Sequence, residues 1–224
     1  MKFVGIAAFA ASVLLSSAVQ AATFDVTVWT GPNNGVDSTI FAGNVTPTGL
    51  ASAHFTWSGD IDWLVGGGQN QDASGNHVDD FLGNTSNVSN FSSPRGTYAD
   101  LNTFLNASLS VAGDAYASYF KIVGFGGGHG SITHDDGASV YDYLGNAVYS
   151  SPNETSAITG NFDLPTGAHP FTVYYVEGNG SPSVLNISGL AVPEPATWAM
   201  MLMGFGGLGA VMRRRRAHAA VAFA

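Results

Sequence analysis

Apolar and polar positions alternate over short stretches along most of the chain, and long helical patterns are scarce. Runs rich in β-branched and aromatic residues are separated by clusters of Gly, Asn, Asp, Ser and Pro, a pattern typical of strands and turns. One segment, Asp100–Ala107, predicts one or two helical turns. The predicted strands are Phe24–Thr30, Ala53–Ser58, Ser108–Val111, Tyr116–Phe125, Gly130–His134, Ala138–Tyr143, Ala147–Ser150, Ser156–Leu164, His169–Glu177 and Ser183–Ser188. The pattern therefore predicts an all-β fold, an antiparallel β-sandwich or barrel.

Three polar or glycine-rich segments interrupt this pattern. Gly66–Asp80 and Gly83–Gly96 predict long loops, which are either carriers of binding specificity or disordered insertions. The third segment, Gly124–Gly130, lies between two predicted strands and lacks the residues that follow a nucleotide-binding loop. It therefore predicts a flexible hairpin connection.

The first apolar stretch has the features of a secretory signal peptide. Lys2 supplies a positive start, Phe3–Val19 is apolar or small, and small residues precede the expected cleavage site. We expect residues 1–21 to be the signal peptide, with cleavage after Ala21 or Ala22. The alternative, a buried first helix, would need a large core around a helix that has no polar face.

The last apolar stretch predicts a transmembrane helix over residues 196–212. At about 1.5 Å per helical residue, this length is near the lower limit of a bilayer span. Trp198 suits one membrane interface, and the cluster Arg213–Arg216 suits the cytoplasmic side. Pro193 and Pro195 keep the preceding segment extended, so that a processing enzyme can reach it. From these residues alone, an ordinary single-span anchor is an alternative.

The whole tail resembles the PEP-CTERM sorting signal of Gram-negative bacteria. The matching residues are Pro193, Glu194 and Pro195, the run Trp198–Met201, the glycine-rich run Gly204–Gly209, and Arg213, Arg214, Arg215 and Arg216. The resemblance implies cleavage near Pro-Glu-Pro by a membrane-embedded exosortase, in bacteria that make exopolysaccharide. We therefore expect export across the inner membrane, transient anchoring by the helix, and a final place at the cell surface or in the extracellular matrix. One departure is the segment 217–224, which follows the arginines where the family usually ends sooner.

Composition limits what the remaining domain can do. The two ends leave residues 22–191 as one β domain and residues 192–224 as the sorting signal. That domain has no cysteine, two basic residues (Arg95 and Lys121) and fifteen acidic ones. So acidic a surface excludes nucleic acid, whose phosphates need Lys and Arg, and it suits divalent cations, which bind oxygen ligands. The alternative is that the acidic residues serve only turns and solubility.

Adjacent carboxylates precede a glycine at Asp135-Asp136-Gly137, between two predicted strands. Two neighbouring carboxylates repel each other unless a cation neutralises them, so this segment either faces a hard cation or forms an Asp-Gly hairpin turn. A zinc site made of His129, His134 and Asp135 is another alternative. No third nitrogen or thiolate ligand lies nearby in the sequence, as zinc would require.

The span from about Ser118 to Ser188 resembles the PA14 family of β-sandwich modules. A strand that ends in His134-Asp135-Asp136-Gly137 stands where that family has Ser-Asp-Asp-Gly, and a turn follows at Tyr143–Asn146. The segment Leu164–Gly180 is similar to the family's late hairpin, with an alternating strand that ends in a Glu-Gly turn. The chain before Ser118 shows no such match.

The resemblance implies a metal site. In the sugar-binding adhesins of the PA14 family, the Asp-Asp pair is joined by a cis peptide and holds Ca²⁺, a loop asparagine completes the site, and the ion binds vicinal sugar hydroxyls. Asp135 and Asp136 occupy the matching pair, and Asn179 is the loop asparagine by its placement. Other members keep Asp-Asp-Gly for structure and bind no sugar.

Catalysis receives less support from the sequence. Glycoside hydrolysis needs two carboxylates across a cleft. The available pairs are Asp60 with Asp62 and Asp79 with Asp80. No serine has the surroundings of a nucleophile elbow. Trp57 and Trp63 are aromatic residues that either stack on sugars or pack in the core, and the core is favoured.

We therefore expect an exported protein without enzymatic activity. Its first predicted function is calcium-dependent binding of glycan in the exopolysaccharide of a biofilm, with exosortase and glycan as partners. A structural matrix protein without a small ligand is the alternative, and a glycoside hydrolase is a weaker one.

Overall fold

The alternating segments form nine strands in a computed structural model, which describes residues 22–31, 41–43, 47, 49–65, 76–111, 116–178 and 180–191. The strands are β1 (Thr23–Gly31), β2 (Ala53–Ser58), β3 (Ile61–Val65), β4 (Val88–Ser92), β5 (Ala117–Asp135), β6 (Ala138–Tyr141), β7 (Ala147–Ser151), β8 (Ile158–Glu177) and β9 (Ser183–Ser188). Two short helices, α1 (Val78–Leu82) and α2 (Leu101–Leu105), and a 3-10 turn at Thr85–Asn87 accompany them. Every pairing between these strands is antiparallel, which confirms the predicted fold class.

The order of the strands produces an open, two-layered arrangement. Hydrogen-bonded neighbours follow the order β4-β2-β1-β5-β8-β6-β7, while β9 pairs with the far half of β5 and β3 pairs with β9. The rings of Trp63 on β3 and Phe120 on β5 have centroids 6.0 Å apart, and those of Trp63 and Trp57 on β2 are 5.3 Å apart. The β3–β9 pair therefore covers one face of the other strands, as in a sandwich. Since the sheet of described strands is not closed, it is not a barrel.

The two longest strands, β5 and β8, pair over almost their whole length, with a register shift between Gly126 and Gly128. The predicted hairpin at Gly124–Gly130 is wrong, because this segment lies inside β5. Gly127 and Gly130 are needed because other groups occupy the space of a side chain. A Cβ on Gly127 would lie 2.2 Å from the Gly167 carbonyl oxygen, and a Cβ on Gly130 would lie 2.7 Å from the Phe162 ring.

Aromatic residues fill the space between the two layers. Tyr175 on β8 stacks on Phe81 of α1 with centroids 5.7 Å apart, and Phe81 also contacts Phe120 and Trp63. A second cluster on the opposite face of the sheet includes Tyr174, which alternates with Tyr175 along β8. The segment Phe171–Val176 is therefore buried on both faces, one in each cluster. Its weak alternation of apolar and polar residues predicts such a strand.

Several boundaries differ from the sequence-based prediction. The predicted loop Gly66–Asp80 runs into α1, and the predicted loop Gly83–Gly96 contains β4. The expected strand Ser108–Val111 makes only isolated bridges, at Ser108 and Val111. Strand β3 is an element that the sequence analysis did not predict.

Other predictions fall outside the described residues. They concern the signal peptide 1–21, Asn179, the processing residues Pro193, Glu194 and Pro195, the helix 196–212 and the cluster Arg213–Arg216. These stay predictions as far as structure is concerned. Within the described ranges, no helix is both long and apolar enough to cross a membrane.

Candidate functional site

The pairing of β6 with β8 brings the two aspartates next to the end of β8. Strand β5 ends at Asp135, and a cis peptide bond joins it to Asp136. Strand β6 then pairs with β7 and β8, and the Val176 N–H donates to the Gly137 carbonyl at 2.9 Å. Asp136-Gly137 is therefore a crossing, in which the chain passes from β5 to a strand, β6, that does not pair with β5. The alternative interpretation, an Asp-Gly hairpin turn, is wrong.

Buried side chains form hydrogen bonds with the main-chain carbonyls of both Asp135 and Asp136. The Tyr175 hydroxyl donates to the Asp135 carbonyl, and Nδ1 of the fully buried His134 lies against the Asp136 carbonyl. Because a carbonyl only accepts, Nδ1 carries a hydrogen, and Nε2 lies 2.7 Å from the Tyr149 hydroxyl. Burial lowers the pKa of His134 and so favours its neutral form, in which Nε2 accepts from that hydroxyl.

Three carboxylates lie at this crossing, and all are buried. Asp135 is 7% exposed, Asp136 is 4% exposed and Glu177, at the end of β8, is 1% exposed. The Gly178 N–H donates to Asp136 Oδ2 at 3.1 Å, and the Ser110 hydroxyl donates to Glu177 Oε1 at 3.0 Å. The Tyr175 hydroxyl also contacts Glu177 Oε2, at 2.9 Å. Tyr175 therefore links Glu177 to the main chain of Asp135, and Asp136 is bonded to the residue that follows Glu177.

Burial and the neighbouring Asp136 hinder the ionisation of Asp135 and Glu177. Burial and then the charge of Asp136 raise the pKa of Asp135 to about 6. The same two causes, in the same order, raise the pKa of Glu177 well above its ordinary value. The folded chain therefore disfavours the ionised forms of these two acids in a poorly hydrated place. A divalent cation relieves this kind of repulsion by binding carboxylate oxygens.

Two of the three carboxylates are within reach of a ligand. Asp135 and Asp136 line a cleft of about 380 Å³, whose other walls include Glu154, Ser156 and Ser181. Glu177 is buried and does not line this cleft. The predicted third ligand, Asn179, lies outside the described residues, between Gly178 and Gly180. Its role stays a prediction.

Glu177 is the member of the cluster that the sequence analysis did not propose. The alternation of residues along β8 indicates that Glu177 is buried, because Val173, Tyr175 and Glu177 share one face of the strand. Val173 and Tyr175 belong to the core, so the acid two residues further on is carried inward as well. A carboxylate on the apolar face of a strand could have been recognised as a buried acid.

The zinc alternative fails on geometry. His129 and His134 are five residues apart on β5, so they lie on opposite faces of the strand. The exposed His129 pairs with Asp163 at 3.0 Å, whereas both nitrogens of His134 are in hydrogen bonds. The three residues do not converge on one ion.

The two other aspartate pairs lie together on a second cleft. Asp60, Asp62, Asp79 and Asp80 line a hollow of about 720 Å³. Ligand atoms of His77, Asp79 and Asp80 lie within 4.8 Å of one another, so this corner also has the residue types that bind metals. Trp57 and Trp63 are core residues, in agreement with the favoured interpretation.

Comparison with known families identifies the tail. Residues 191–216 match the PEP-CTERM protein-sorting motif. The chain carries an exosortase sorting signal. This confirms the resemblance seen in Pro193, Glu194, Pro195 and the arginine cluster. The PEP-CTERM motif implies secretion, transient membrane anchoring and processing of the C-terminus by an exosortase. No curated protein matches the chain.

Solved structures resemble the PEP-CTERM chain over most of its length. A PA14 sugar-binding domain from an RTX adhesin is 17% identical, with a TM-score of 0.47, and the match covers 79% of this chain and 96% of that one. The PA14 domain of an antifreeze protein is 16% identical, with a TM-score of 0.49 and coverage of 79% and 88%. A GH31 α-xylosidase from Xanthomonas citri is 12% identical, with a TM-score of 0.34 and coverage of 77% and 14%. The first two are PA14 domains.

Proposed function

We propose that the β domain of this exported chain is a calcium-dependent carbohydrate-binding module. The observation that carries the proposal is the cluster of Asp135, Asp136 and Glu177, three buried carboxylates of which two face a cleft. Their mutual repulsion favours a bound cation, and carboxylates are the ligands that Ca²⁺ takes. The domain's two basic side chains make their contacts elsewhere. Arg95 donates to the Thr30 carbonyl, and Lys121 lies over the Tyr174 ring.

The proposed ion is held by Asp135 and Asp136, with Asn179 as the third protein ligand. Ca²⁺ takes six to eight oxygen ligands, so such a set leaves coordination positions open toward the cleft. Vicinal hydroxyls of a sugar fill those positions and replace water. Glu177 is buried near the pair and does not line the cleft. The sugar is thus recognised through the metal, and exopolysaccharide is the source that suits an exosortase substrate.

Binding of the exported protein to polysaccharide, measured with and without calcium, tests this function. We expect the protein to bind a glycan array in 1 mM calcium and to lose that binding in EGTA. Asp135→Asn and Asp136→Asn should remove the calcium-dependent binding. Asp163→Asn, the same substitution at an exposed strand position, should keep it. Binding that is indifferent to EGTA and to both substitutions would favour the structural matrix protein.

A hydrolase is the second candidate, because one observation favours it. The structure brings Asp60, Asp62, Asp79 and Asp80 to one cleft, as a pair of catalytic carboxylates requires. If this candidate is correct, the purified protein releases reducing ends from polysaccharide, and Asp62→Asn or Asp80→Asn abolishes the release. Under the calcium-module proposal, no reducing ends appear.

A further inference from the structure

The outer face of the sheet carries a groove that the calcium site does not use. Along β5, Phe120 and Ile122 point into the core, so Lys121, Val123 and Phe125 point outward. The same alternation turns Thr172 and Tyr174 of β8 and Tyr141 of β6 to this face. Between β8 and β6 lies a groove of about 300 Å³, lined by Tyr141, Asp142, Tyr143, Pro170, Thr172 and Tyr174.

The aromatic rings of this groove are held in fixed positions. Tyr143 stacks on His169 with centroids 4.3 Å apart and an angle of 17° between the planes. Tyr141 meets Tyr174 edge to face, with centroids 5.7 Å apart. The groove therefore has rigid aromatic walls, which lose little freedom when a ligand binds.

Exposure distinguishes Tyr143 and Phe125 from the aromatic residues of the core. Tyr143 is 45% exposed, and Phe125, on the neighbouring strand of the same face, is 57% exposed. Phe125 is paired with Pro170 in the β5–β8 ladder, so it lies at the side of the groove. An exposed aromatic surface that borders hydroxyl groups suits a ligand with an apolar face and a polar rim. Sugar rings have that character, since their C–H groups and their hydroxyls point in different directions.

Charge selects among the possible ligands. The Asp142 carboxylate accepts hydrogen bonds from the Leu144 N–H, the Asn146 N–H and the Asn146 amide at 2.8 to 2.9 Å, and these bonds lower its pKa. It therefore braces its own turn. Lys121 lies 5.9 Å from the centre of the Tyr174 ring. Asp142 is the one charged residue among the described lining residues of the groove, and the strongly acidic domain repels acidic polymers. An uncharged ligand complements it.

We propose that this groove, hereafter the tyrosine groove, is a second binding site for an uncharged glycan chain and works without calcium. It shares no lining residue with the cleft at Asp135 and Asp136. Val176 bonds to Gly137 beside the calcium site, and Thr172 lies four residues away along β8, about 13 Å. The inference goes beyond the calcium module and does not depend on it. Two sites on one domain would strengthen its attachment to a polysaccharide matrix by multivalency.

Affinity electrophoresis of the exported protein in EGTA tests the tyrosine groove. The gels contain hydroxyethylcellulose, dextran or galactomannan as uncharged probes, and alginate as an anionic comparison. We expect at least one uncharged polysaccharide to retard the protein and alginate not to do so. Tyr143→Ala should weaken the binding by about tenfold, as the loss of one aromatic contact implies. Tyr143→Phe keeps the ring and should bind like the native protein.

Matched variants separate this site from its surroundings. Leu144→Ala removes a neighbouring exposed side chain that does not line the groove, and it should change binding by less than about twofold. His169→Ala removes the ring that supports Tyr143, and it provides a second loss-of-function variant if Tyr143→Ala does not fold. Asp135→Asn should still bind in EGTA, whatever its effect on calcium.

Three results would overturn the proposal. They are the absence of retardation by any of the three uncharged polysaccharides, equal retardation by alginate, and equal retardation of the Tyr143→Ala and native proteins. A protein that fails to bind calcium while the tyrosine groove still binds glycan would refute the calcium module alone. The two proposals therefore fail separately.

Discussion

Tyr175 and His134 show how single residues shape the candidate calcium site. Each uses one hydrogen bond to fix a carbonyl of the Asp135-Asp136 pair, and each is buried. The aspartates themselves could be predicted from their resemblance to a known motif. The role of Tyr175 could not, because Tyr175 lies 40 positions away in sequence. Only the pairing of β6 and β8 brings it to the site.

The Tyr175 hydroxyl is expected to stabilise the site and the fold together. Tyr175→Phe keeps the stacking on Phe81 but leaves the Asp135 carbonyl and Glu177 without this partner. Loss of a buried hydrogen bond costs about 1–3 kcal/mol, so urea denaturation should show a free energy of unfolding lower by that amount. Tyr143→Phe, at an exposed position, should change it by less than about 0.5 kcal/mol. Equal stability of the two variants would contradict the role of Tyr175.

Asp135 is expected to destabilise the metal-free protein. Its pKa is about 6 in the folded chain, above its ordinary 3.8, so the native state binds the proton more tightly than the unfolded state does. This contribution to stability is present at low pH and is lost as pH rises through about 6. In EGTA at pH 7.5, Asp135→Asn should therefore raise the free energy of unfolding by about 1–2 kcal/mol.

Two further measurements check that interpretation of Asp135. The advantage of Asp135→Asn should shrink toward pH 5, where the native carboxyl takes up its proton. Calcium should stabilise the native protein and leave the variant unchanged. The pKa of His134 is lowered, so its protonation destabilises the fold as pH falls below about 6.5, in both proteins alike. A variant that is less stable than the native protein in EGTA at pH 7.5 would contradict the prediction.

At the scale of elements, the local sequence pattern predicted most of the strands but placed several of their boundaries wrongly. Gly124–Gly130 is typical of a turn, yet it lies inside β5, because neighbouring side chains and carbonyls occupy the space above its glycines. Strand β3 escaped prediction because Asp60 and Asp62 are typical of turns. Its identity depends on the alternating Ile61, Trp63 and Val65, which are buried. The first error comes from tertiary contacts that no local pattern contains, and the second comes from a short alternation next to turn-forming aspartates.

The glycine segment of β5 should be intolerant of side chains at specific positions. A Cβ at position 127 would meet two β8 carbonyl oxygens, at 2.2 Å (Gly167) and 2.5 Å (Pro165), which cannot move without shifting the strand. Gly127→Ala should therefore lower the free energy of unfolding by about 3 kcal/mol. Gly126→Ala, whose nearest contact would be an ordinary 3.4 Å, should cost less than about 1 kcal/mol. Chemical denaturation of both variants measures the difference. Equal losses would refute the close approach.

At the scale of the whole molecule, the acidic β domain and the sorting signal have separate roles. The PEP-CTERM motif at residues 191–216 accounts for export and processing, and the chemistry lies in the described domain. Sequence predicted this division because the signal is a local pattern. It could not predict that Asp135, Asp136 and Glu177 form one buried cluster, since that depends on the pairing of β6 with the end of β8.

Processing should remove the helix predicted over residues 196–212. Intact-mass measurement of the protein released by the cells should show a C-terminus near Pro193-Glu194-Pro195. Replacing Pro193 and Pro195 by Ala should leave the tail attached, because the segment loses the extended shape that an exosortase is expected to recognise. A native terminus beyond Met212 would mean that the helix is a permanent anchor.

Isothermal titration of calcium into the exported protein tests the central claim most directly. We predict saturable binding that Asp135→Asn and Asp136→Asn each abolish and that Asp163→Asn leaves intact. Asp80→Asn, at the second acidic cleft, should also leave it intact. The absence of binding at millimolar calcium, or binding that survives both substitutions at Asp135 and Asp136, would contradict the account.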